Sequence, residues 1–360
     1  MHKHGGDLYK YPDFIDFSAN INLLGAPKGV LQAVRDTVSR VIHYPQPKSE
    51  LLCEKIGEME QVNAQHVICG NGAAEVIFSL VLAEKPQKAL IPIPIFQEYE
   101  QALLSVNCQV ETTVLWANEE KEIENITIEN RKLEAQLWEE FLGKIKEDMD
   151  MVFFCNPNNP TGILYHVDKM EQLLEKCSKT GTRLVIDECF MDFVFTPEKY
   201  TMKSALQQYP NLFIIKAFTK IFGIPGLRLG YGLSTDIMLL QKMHQVTQPW
   251  NVSVLAQEAG IAATKEMEFV TQTKEITEKE KQYLLEQLEE LPVKVYGHAA
   301  NFIFFQARIG LDMELKTYHI LIRNCDNFKG LSKGWYRIAV RTRKENQRLI
   351  QAWKELEQQR

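Results

Sequence analysis

Apolar runs alternate with amphipathic stretches through the middle of the chain, and their spacing predicts the secondary structure. Several of these runs are continuously apolar, as is typical of strands that are buried on both faces. Helical periodicity marks three of the intervening segments, 73–83, 97–105 and 167–179. The predicted strands are 67–71, 89–94, 110–115, 151–157, 183–189, 212–218 and 228–234. This order predicts an α/β fold in which a mostly parallel seven-stranded sheet lies between helices.

The two ends of the chain show other patterns. Residues 27–42 place their apolar side chains on one helical stripe, and Pro27 suits the first turn of a helix. Residues 117–148 are rich in Glu and Lys, which predicts a solvated surface segment with a helix in its second half. After residue 247 charged helices flank short strands, and the predicted elements are helices 266–290 and 344–357 and strands near 300–305 and 336–340.

These changes of pattern predict how the chain is divided. Its 360 residues exceed the usual size of one hydrophobic core, which favours two domains. We expect an N-terminal arm and first helix (1–44) that packs with the small domain, a large domain (45–246), and a smaller α+β domain (247–360).

Composition and charge exclude several classes of protein. With 45% apolar and 24% charged residues, the chain has the composition of a soluble globular protein. The net charge of −6 lacks the basic character of a nucleic-acid-binding protein, so we expect no nucleic-acid partner. The longest apolar runs are far too short to span a membrane, so we expect no membrane partner either.

The cysteines predict a reducing compartment. The seven cysteines are scattered, odd in number and without a C-x-x-C pair, which is typical of reduced core thiols. We expect no metal site. Because the first residues also lack the apolar core of a signal peptide, we expect a cytoplasmic location.

Two turns that follow predicted strands carry candidate chemistry. The glycine-rich segment 70–75 joins a strand to a helix, where free backbone N–H groups can hold a phosphate; a plain strand–helix turn is the alternative. Segment 156–162 contains two Asn-Pro steps and predicts a rigid turn.

Charged residues at the ends of two further strands complete the candidate site. Asp187 and Glu188 end the run RLVIDEC at the carboxyl edge of the sheet, where α/β proteins bind ligands. Because no G-x-x-x-x-G-K-[ST] motif occurs in the sequence, this carboxylate pair does not indicate a nucleotide hydrolase. Lys220 follows the run LFIIKAF, and taken alone it would be read as a solvated loop lysine.

In order and spacing, these features resemble the fold-type I pyridoxal-phosphate (PLP) enzymes of the aminotransferase class, over nearly the whole chain. Within that class the chain is most similar to the branch, related to histidinol-phosphate aminotransferases, that serves cobalamin synthesis. The motifs that carry this resemblance are 3–6 (KHGG), 16–22 (DFSANIN), Tyr44-Pro45, 96–100 (FQEYE), 187–190 (DECF), 323–325 (RNC) and Asn327-Phe328.

The resemblance implies PLP as cofactor, with Lys220 and Asp187 as catalytic residues. Lys220 is expected to bind the cofactor aldehyde covalently, and Asp187 to keep the pyridine nitrogen protonated. The other implied cofactor contacts are Asn159 on the phenolic oxygen, Phe96 on the ring face, and Ala73, Ala74, Thr219, Arg228 and the neighbouring subunit's Tyr44 at the phosphate. The contact from Tyr44 makes a homodimer part of this expectation; a half-buried turn residue is the alternative role for Tyr44.

The resemblance also implies a small phosphorylated amino acid as substrate. Arg337 is expected to bind its α-carboxylate, since a guanidinium suits that planar partner. The candidates for its phosphate are Arg323, Arg341 and His4, and the remaining implied substrate contacts are Asn20, Asn22 and Asn159. The implied reaction is decarboxylation of L-threonine O-3-phosphate to (R)-1-amino-2-propanol O-2-phosphate. Transamination of histidinol phosphate or a related substrate is the alternative.

Three positions depart from the family pattern. Ala217 stands where many relatives have a hydroxyl for the cofactor phosphate, and Leu23 stands where a proline usually follows Asn-Ile-Asn. Phe190 replaces the tyrosine that is usual in aminotransferases, in agreement with the decarboxylating branch. The third departure therefore favours decarboxylation.

Overall fold

A computed structural model describes residues 5–115 and 128–360 of the chain. Its strands are β1 (Ile15–Asp16), β2 (Val67–Gly70), β3 (Lys88–Ile93), β4 (Gln109–Val114), β5 (Met151–Cys155), β6 (Arg183–Asp187), β7 (Leu212–Ala217), β8 (Gly230–Leu233), β9 (Lys294–Gly297), β10 (Phe302–Gln306), β11 (Ile320–Leu321), β12 (Arg323–Asn324) and β13 (Trp335–Ala339). Its α-helices are α1 (Lys28–Thr37), α2 (Glu50–Glu60), α3 (Ala73–Glu84), α4 (Glu98–Ser105), α5 (Ile128–Lys144), α6 (Val167–Thr180), α7 (Phe218–Ile221), α8 (Ile237–Val246), α9 (Val254–Ala263), α10 (Met267–Leu288), α11 (Leu311–Lys316) and α12 (Arg343–Gln358).

The largest sheet has seven strands in the order β2-β8-β7-β6-β5-β3-β4. The strands from β7 to β4 in this order run parallel, and β8 lies antiparallel to both of its neighbours. The predicted seven-stranded, mostly parallel sheet is thereby confirmed. Because β5, β6 and β7 are parallel, their carboxyl ends lie at one edge of the sheet.

The central strands are buried on both faces, which explains why their sequences do not alternate. On β5, Val152 and Phe154 belong to one hydrophobic cluster, whereas Met151 and Phe153 belong to another. Each cluster is completed by helices packed on its own face of the sheet. The continuously apolar runs are therefore the consequence of a sheet that is covered on both sides.

A second, antiparallel sheet of four strands lies in the C-terminal part of the chain, in the order β12-β13-β10-β9. Helices α10 and α12 pack over it, and Trp353 of α12 contacts Phe305 of β10 at a ring-centroid distance of 5.4 Å. Strand β1 of the N-terminal arm pairs in parallel with β11. This pairing attaches the N-terminal arm to the C-terminal part; the domain boundaries stay a prediction.

The first α-helix of the structure is shorter than the apolar stripe that predicted it. The α-helix ends at Thr37, and 38–42 continue as a 3-10 turn. Within the stripe Val30 is buried against the core and Val34 packs partly on it. Four further apolar residues of the stripe are exposed: Leu31, Val38, Val41 and Ile42. In the described part of the chain no helix is both long and apolar enough to cross a membrane.

Candidate active site

A cavity lies at the carboxyl edge of the large sheet and encloses about 1060 Å³, its open mouth included. The large sheet, the antiparallel sheet and the N-terminal arm each contribute to its wall. The lining residues are Gly5, Ser18, Ala19, Asn20, Ala73, Ala74, Phe96, Gln97, Glu98, Tyr99, Cys155, Asn159, Asp187, Cys189, Phe190, Ala217, Thr219, Lys220, Arg228, Arg323, Phe328 and Arg337.

Lys220 reaches the cavity from a single helical turn that directly follows β7. Burial, together with the positive charge of Arg337, lowers the pKa of Lys220 to about 8. Asn22 fixes this turn, because its main-chain N–H donates to Lys220 O at 3.2 Å and its side-chain amide donates to Ile221 O at 2.5 Å. The turn that carries Lys220 is thus held in place, and its amine is partly neutral at physiological pH, as a nucleophile requires.

Asp187 ends β6 and turns its carboxylate into the cavity wall. One oxygen accepts a hydrogen bond from the Tyr99 hydroxyl at 2.5 Å, and the other accepts from the Cys189 main-chain N–H at 2.9 Å. Burial raises the pKa of Asp187, and these two hydrogen bonds act against that rise. A positively charged group in the cavity would favour the ionised carboxylate further.

Glu188 does not join Asp187 at the site. Successive side chains of an extended segment point in opposite directions, and the Glu188 carboxylate accepts from the Thr201 hydroxyl and the Met202 N–H instead. Burial raises the pKa of Glu188 to about 7. The carboxylate pair that the sequence brings together is therefore divided by the fold, and Asp187 lines the cavity without Glu188.

The glycine-rich turn at the start of α3 forms an anion cradle with Arg228. Gly72 has φ +85°, and a Cβ there would lie 2.5 Å from the Arg228 guanidinium. A Cβ on Gly230 would lie 2.4 Å from the Ala73 main-chain nitrogen. The two glycines thus allow Arg228 and the first N–H groups of α3, those of Ala73 and Ala74, to converge on one point of the cavity.

Arg337 of β13 brings a buried positive charge to the opposite part of the cavity. Its guanidinium donates to the Asn159 side-chain oxygen and, at 3.2 Å, to Ser18 O. Burial lowers the pKa of Arg337 to about 10. Among the described residues no carboxylate forms a salt bridge with Arg337, which makes it a suitable partner for a ligand carboxylate.

Two more polar groups lie on this side of the cavity. Arg323 of β12 is 8% exposed, and burial lowers the pKa of its guanidinium. The side chain of Asn20 is buried, and its nitrogen and oxygen atoms have no hydrogen-bond partner in the described part of the chain. Because an unpaired buried amide is costly, Asn20 indicates that this space takes a polar ligand.

The N-terminal arm closes the wall beside Asn20. The Gly6 N–H donates to the Ser18 hydroxyl at 2.8 Å, and that hydroxyl donates to the Asp16 carboxylate at 2.5 Å. A Cβ on Gly5 would lie 2.4 Å from Ser18 O. The paired glycines of the N-terminal motif therefore let the arm lie directly against the cavity.

The cavity brings together most of the residues that the resemblance implied. Those that line it are Asn20, Ala73, Ala74, Phe96, Asn159, Asp187, Thr219, Lys220, Arg228, Arg323 and Arg337. Three of the implied residues do not line the cavity. The Asn22 side chain is hydrogen-bonded to Ile221 O in the turn that carries Lys220. Arg341 forms a salt bridge with Glu345 at 2.6 Å, and Tyr44 is 80% exposed. His4 lies outside the described residues.

Several lining residues had no role in the sequence analysis. Tyr99, Gln97 and Phe328 stand in motifs that carried the resemblance, so their positions were visible but their contacts were not. Cys155 and Cys189 also line the wall, and burial raises the pKa of both thiols above its usual range. Both cysteines lie at the carboxyl ends of neighbouring parallel strands, and this position in the sequence could have predicted that they line the cavity.

Comparison with known proteins gives matches over nearly the whole chain. The profile of the family described as aminotransferase class I and II matches residues 12–352. The threonine-phosphate decarboxylase of Salmonella typhimurium is 32% identical over 361 residues, covering 97% of this chain and 95% of that protein. The adenosylcobalamin biosynthesis bifunctional protein CobDQ of Leptospira interrogans is 30% identical over 368 residues, which is 98% of this chain and 40% of that protein.

A solved structure agrees with the fold. The histidinol-phosphate aminotransferase from Clostridium acetobutylicum matches with a TM-score of 0.84 and 29% identity, covering 96% of this chain and 99% of that chain. The overall fold of this chain is therefore shared with a solved enzyme.

Proposed function

The chain belongs to the aminotransferase class I and II family, and from this premise we propose that it decarboxylates L-threonine O-3-phosphate to (R)-1-amino-2-propanol O-2-phosphate, in the synthesis of cobalamin. PLP is its cofactor. When bound, PLP supplies an electron sink for a bond that breaks at the substrate Cα.

The residues of the cavity fit PLP. The convergence of Arg228 with the Ala73 and Ala74 N–H groups suits a phosphate. Asp187 suits the pyridine nitrogen, because a buried carboxylate with a raised pKa is stabilised by a positively charged partner. Lys220, with its lowered pKa, suits covalent attachment to the aldehyde. We assign Phe96 to the ring face and Asn159 to the phenolic oxygen.

The main support for the proposed substrate is the pair of buried arginines, Arg337 and Arg323, which line the same cavity as Lys220. They are close enough that the charge of Arg323 contributes to lowering the pKa of Arg337, whose main cause is burial. Two buried cations that face one space favour a ligand with two anionic groups. A phosphorylated amino acid has both a carboxylate and a phosphate.

The two arginines would set the orientation of the substrate. Arg337 holds the carboxylate by paired N–H groups while Arg323 holds the phosphate. The substrate therefore cannot rotate freely about the bond between its nitrogen and Cα. The bond to the carboxylate is then the one presented for cleavage. After carbon dioxide has left, the Lys220 Nζ delivers a proton to Cα, and the products are the amine and CO₂.

Phe190 supports decarboxylation over transamination. Its ring lines the cavity and packs edge-on against Phe302 at 5.2 Å. A phenylalanine carries no hydroxyl, so this position offers no proton donor at the phenolic oxygen of the cofactor. The similarity to a solved histidinol-phosphate aminotransferase favours the alternative, transamination of histidinol phosphate.

Product analysis distinguishes the two reactions. The PLP-loaded protein is incubated with L-threonine O-3-phosphate in the absence of any 2-oxo acid, and CO₂ and the amine are quantified. We expect both to form in equal amounts. No CO₂, together with glutamate formation from 2-oxoglutarate and an amino donor such as histidinol phosphate, would establish the aminotransferase instead.

We also propose a homodimer in which Tyr44 reaches the PLP phosphate of the neighbouring subunit. Tyr44 is 80% exposed and stacks on Trp250 at 4.5 Å, beside the exposed side chains of Val38, Val41 and Ile42. An exposed apolar surface of this kind is typical of an interface, and a second copy of the chain would cover it.

Mixing two impaired variants, Lys220→Ala and Tyr44→Phe, tests this arrangement. A dimer of Lys220→Ala with Tyr44→Phe has one site that contains an intact lysine and an intact tyrosine only if Tyr44 acts across the interface. When equal amounts of the two variants exchange subunits at random, about half of the dimers are mixed, and each mixed dimer has one intact site of two. The mixture then regains about a quarter of the activity that the Tyr44→Phe substitution removes. No recovery would place Tyr44 in the site of its own subunit or outside both.

A further inference from the structure

A pair of amide side chains, Gln97 and Asn327, joins two loops at the cavity wall. Gln97 lies in the loop between β3 and α4, and Asn327 follows β12, 230 residues later in the sequence. The Gln97 side-chain nitrogen donates to the Asn327 main-chain oxygen at 2.5 Å, and the Asn327 side-chain nitrogen donates to Gln97 Oε1 at 3.2 Å. Each residue is therefore both donor and acceptor to the other.

The same Asn327 side chain also holds Arg323. Arg323 Nη2 donates to Asn327 Oδ1 at 2.8 Å, while its Nη1 donates to Asn324 O at 2.5 Å. The guanidinium lies over the Phe328 ring at 5.1 Å from the centroid. Gln97, Asn327 and Arg323 thus form a continuous chain of hydrogen bonds, which we call the amide relay.

We propose that the amide relay holds Arg323 in the orientation that recognises the substrate phosphate, so that Gln97 and Asn327 are positioning residues for the preference for phosphorylated amino acids. This inference rests on the proposed function. An arginine side chain has several rotatable bonds, and holding its planar fork before the ligand arrives reduces the entropy lost on binding.

The chemistry of the relay requires amides. Asn327 accepts from Arg323 with its side-chain oxygen and donates to Gln97 with its side-chain nitrogen, and an amide suits this role because its donor and its acceptor are two separate atoms. A carboxylate at 327 would keep the contact with Arg323 but would lose the donor to Gln97. It would also place a negative charge beside the guanidinium, in competition with a phosphate.

A nearby ion pair provides a matched control. Lys329 lies in the loop that holds Asn327, and it pairs at 3.1 Å with Glu100 in the first turn of α4, which directly follows Gln97; the two side chains are 52% and 30% exposed. Removing this pair weakens the connection between the same two parts of the chain without removing a member of the amide relay. A general effect of loop closure would therefore follow from either change, whereas an effect through Arg323 follows from the relay alone.

The test compares kinetics for two substrates of the PLP-loaded protein, L-threonine O-3-phosphate and L-threonine. In Gln97→Ala we expect KM for the phosphorylated substrate to rise about tenfold, the scale of one lost charge-assisted contact. KM for L-threonine and kcat for both should stay within about twofold, since no other recognised group has moved. In Lys329→Ala we expect all four constants to remain within about twofold.

A double substitution separates positioning from direct contact. If Gln97 acts through Arg323, Gln97→Ala adds no further loss of phosphate preference to a protein that already carries Arg323→Ala. Asn327→Asp should reduce the preference more than Gln97→Ala does, because it introduces the competing charge. Additive losses, or equal losses for both substrates, would overturn the inference.

The wild-type protein is measured first, so that a failure of the proposed function is recognised as such. If it does not prefer L-threonine O-3-phosphate over L-threonine, the proposed substrate is wrong. Inorganic phosphate binding to the PLP-loaded protein, followed by calorimetry, then tests the relay itself. Binding that weakens about tenfold in Gln97→Ala and not in Lys329→Ala supports the relay, and equal affinity in all three proteins contradicts it.

Discussion

The cofactor half and the substrate half of the cavity are built in different ways. In the cofactor half, Asp187 and Lys220 follow neighbouring parallel strands of one sheet, and Asp187 already holds hydrogen bonds from Tyr99 and Cys189. In the substrate half, Arg337 and Arg323 come from the antiparallel sheet, and burial lowers the pKa of both. Both halves hold their side chains by hydrogen bonds within the protein, but the substrate half holds two buried guanidinium groups, whose charge an anionic ligand would stabilise.

Because the two halves are built from different sheets, we expect them to respond separately to substitution. A change in the cofactor half should alter PLP binding, whereas a change in the substrate half should alter substrate kinetics and leave PLP binding intact. PLP affinity, from titration of the apoprotein, and substrate KM are therefore measured for every variant.

The largest effect is expected for Lys220→Ala. Turnover should fall by more than about 10⁴-fold, as it does when other enzymes lose their nucleophile. Borohydride reduction followed by peptide mass spectrometry should fix PLP on the peptide that contains residue 220 in the wild type but not in the variant. Lys242→Ala changes an exposed lysine outside the cavity and serves as control. Covalent labelling that persists in Lys220→Ala would remove this lysine from the cofactor half.

Arg337→Lys tests the substrate half. An ammonium group cannot form the two parallel N–H contacts of a guanidinium, so we expect kcat/KM to fall about 100-fold, or about 2.7 kcal/mol. PLP affinity of the apoprotein should not change. If it fell by a similar factor, the two halves would not be separable.

Tyr99→Phe removes one hydroxyl from the cofactor half. Its loss leaves the Asp187 carboxylate with hydrogen bonds from Cys189 alone, which raises the pKa of Asp187 further and weakens its pairing with the pyridine nitrogen. We expect PLP affinity to fall about tenfold while substrate KM is retained. Tyr209→Phe, outside the cavity lining, is the matched control. An effect on KM without one on PLP affinity would contradict this assignment.

The smallest effect concerns pH. Lys220 has a pKa lowered to about 8, so its amine is mostly protonated below that pH and mostly neutral above it. Because only the neutral amine attacks the aldehyde, PLP capture by the apoprotein should accelerate about fivefold from pH 7 to pH 8 and level off above pH 9. Stopped-flow absorbance measures this rate. A rate that is independent of pH over this range would show that another group limits capture.

The core strands could be predicted from sequence because their burial on two faces leaves a continuous apolar run, as in β5 and β7. Helices α2, α8 and α9 were not predicted from the sequence. The stripe on 27–42 predicted one helix, but residues 5–115 and 128–360 provide no element that covers its outer side, and the α-helix ends at Thr37.

In the site, the sequence placed Asp187 and Lys220 at strand ends, and the resemblance named most of the lining residues. It could not predict that Glu188 points away, that Asn22 supports the Lys220 turn, or that Gln97 meets Asn327. The first depends on the direction of a side chain, and the last two depend on contacts between residues that are 199 and 230 positions apart in the sequence.

The central sheet with two buried faces, and the positions of charged residues at the ends of its strands, could be derived from sequence alone, because both follow from local periodicity and from where apolar runs end. The tertiary structure alone decided which charges share a cavity and which are neutralised elsewhere. The reason is physical: burial and hydrogen bonding depend on neighbours in space, so a lysine with a lowered pKa or an arginine held by a distant amide has no signature in its own segment.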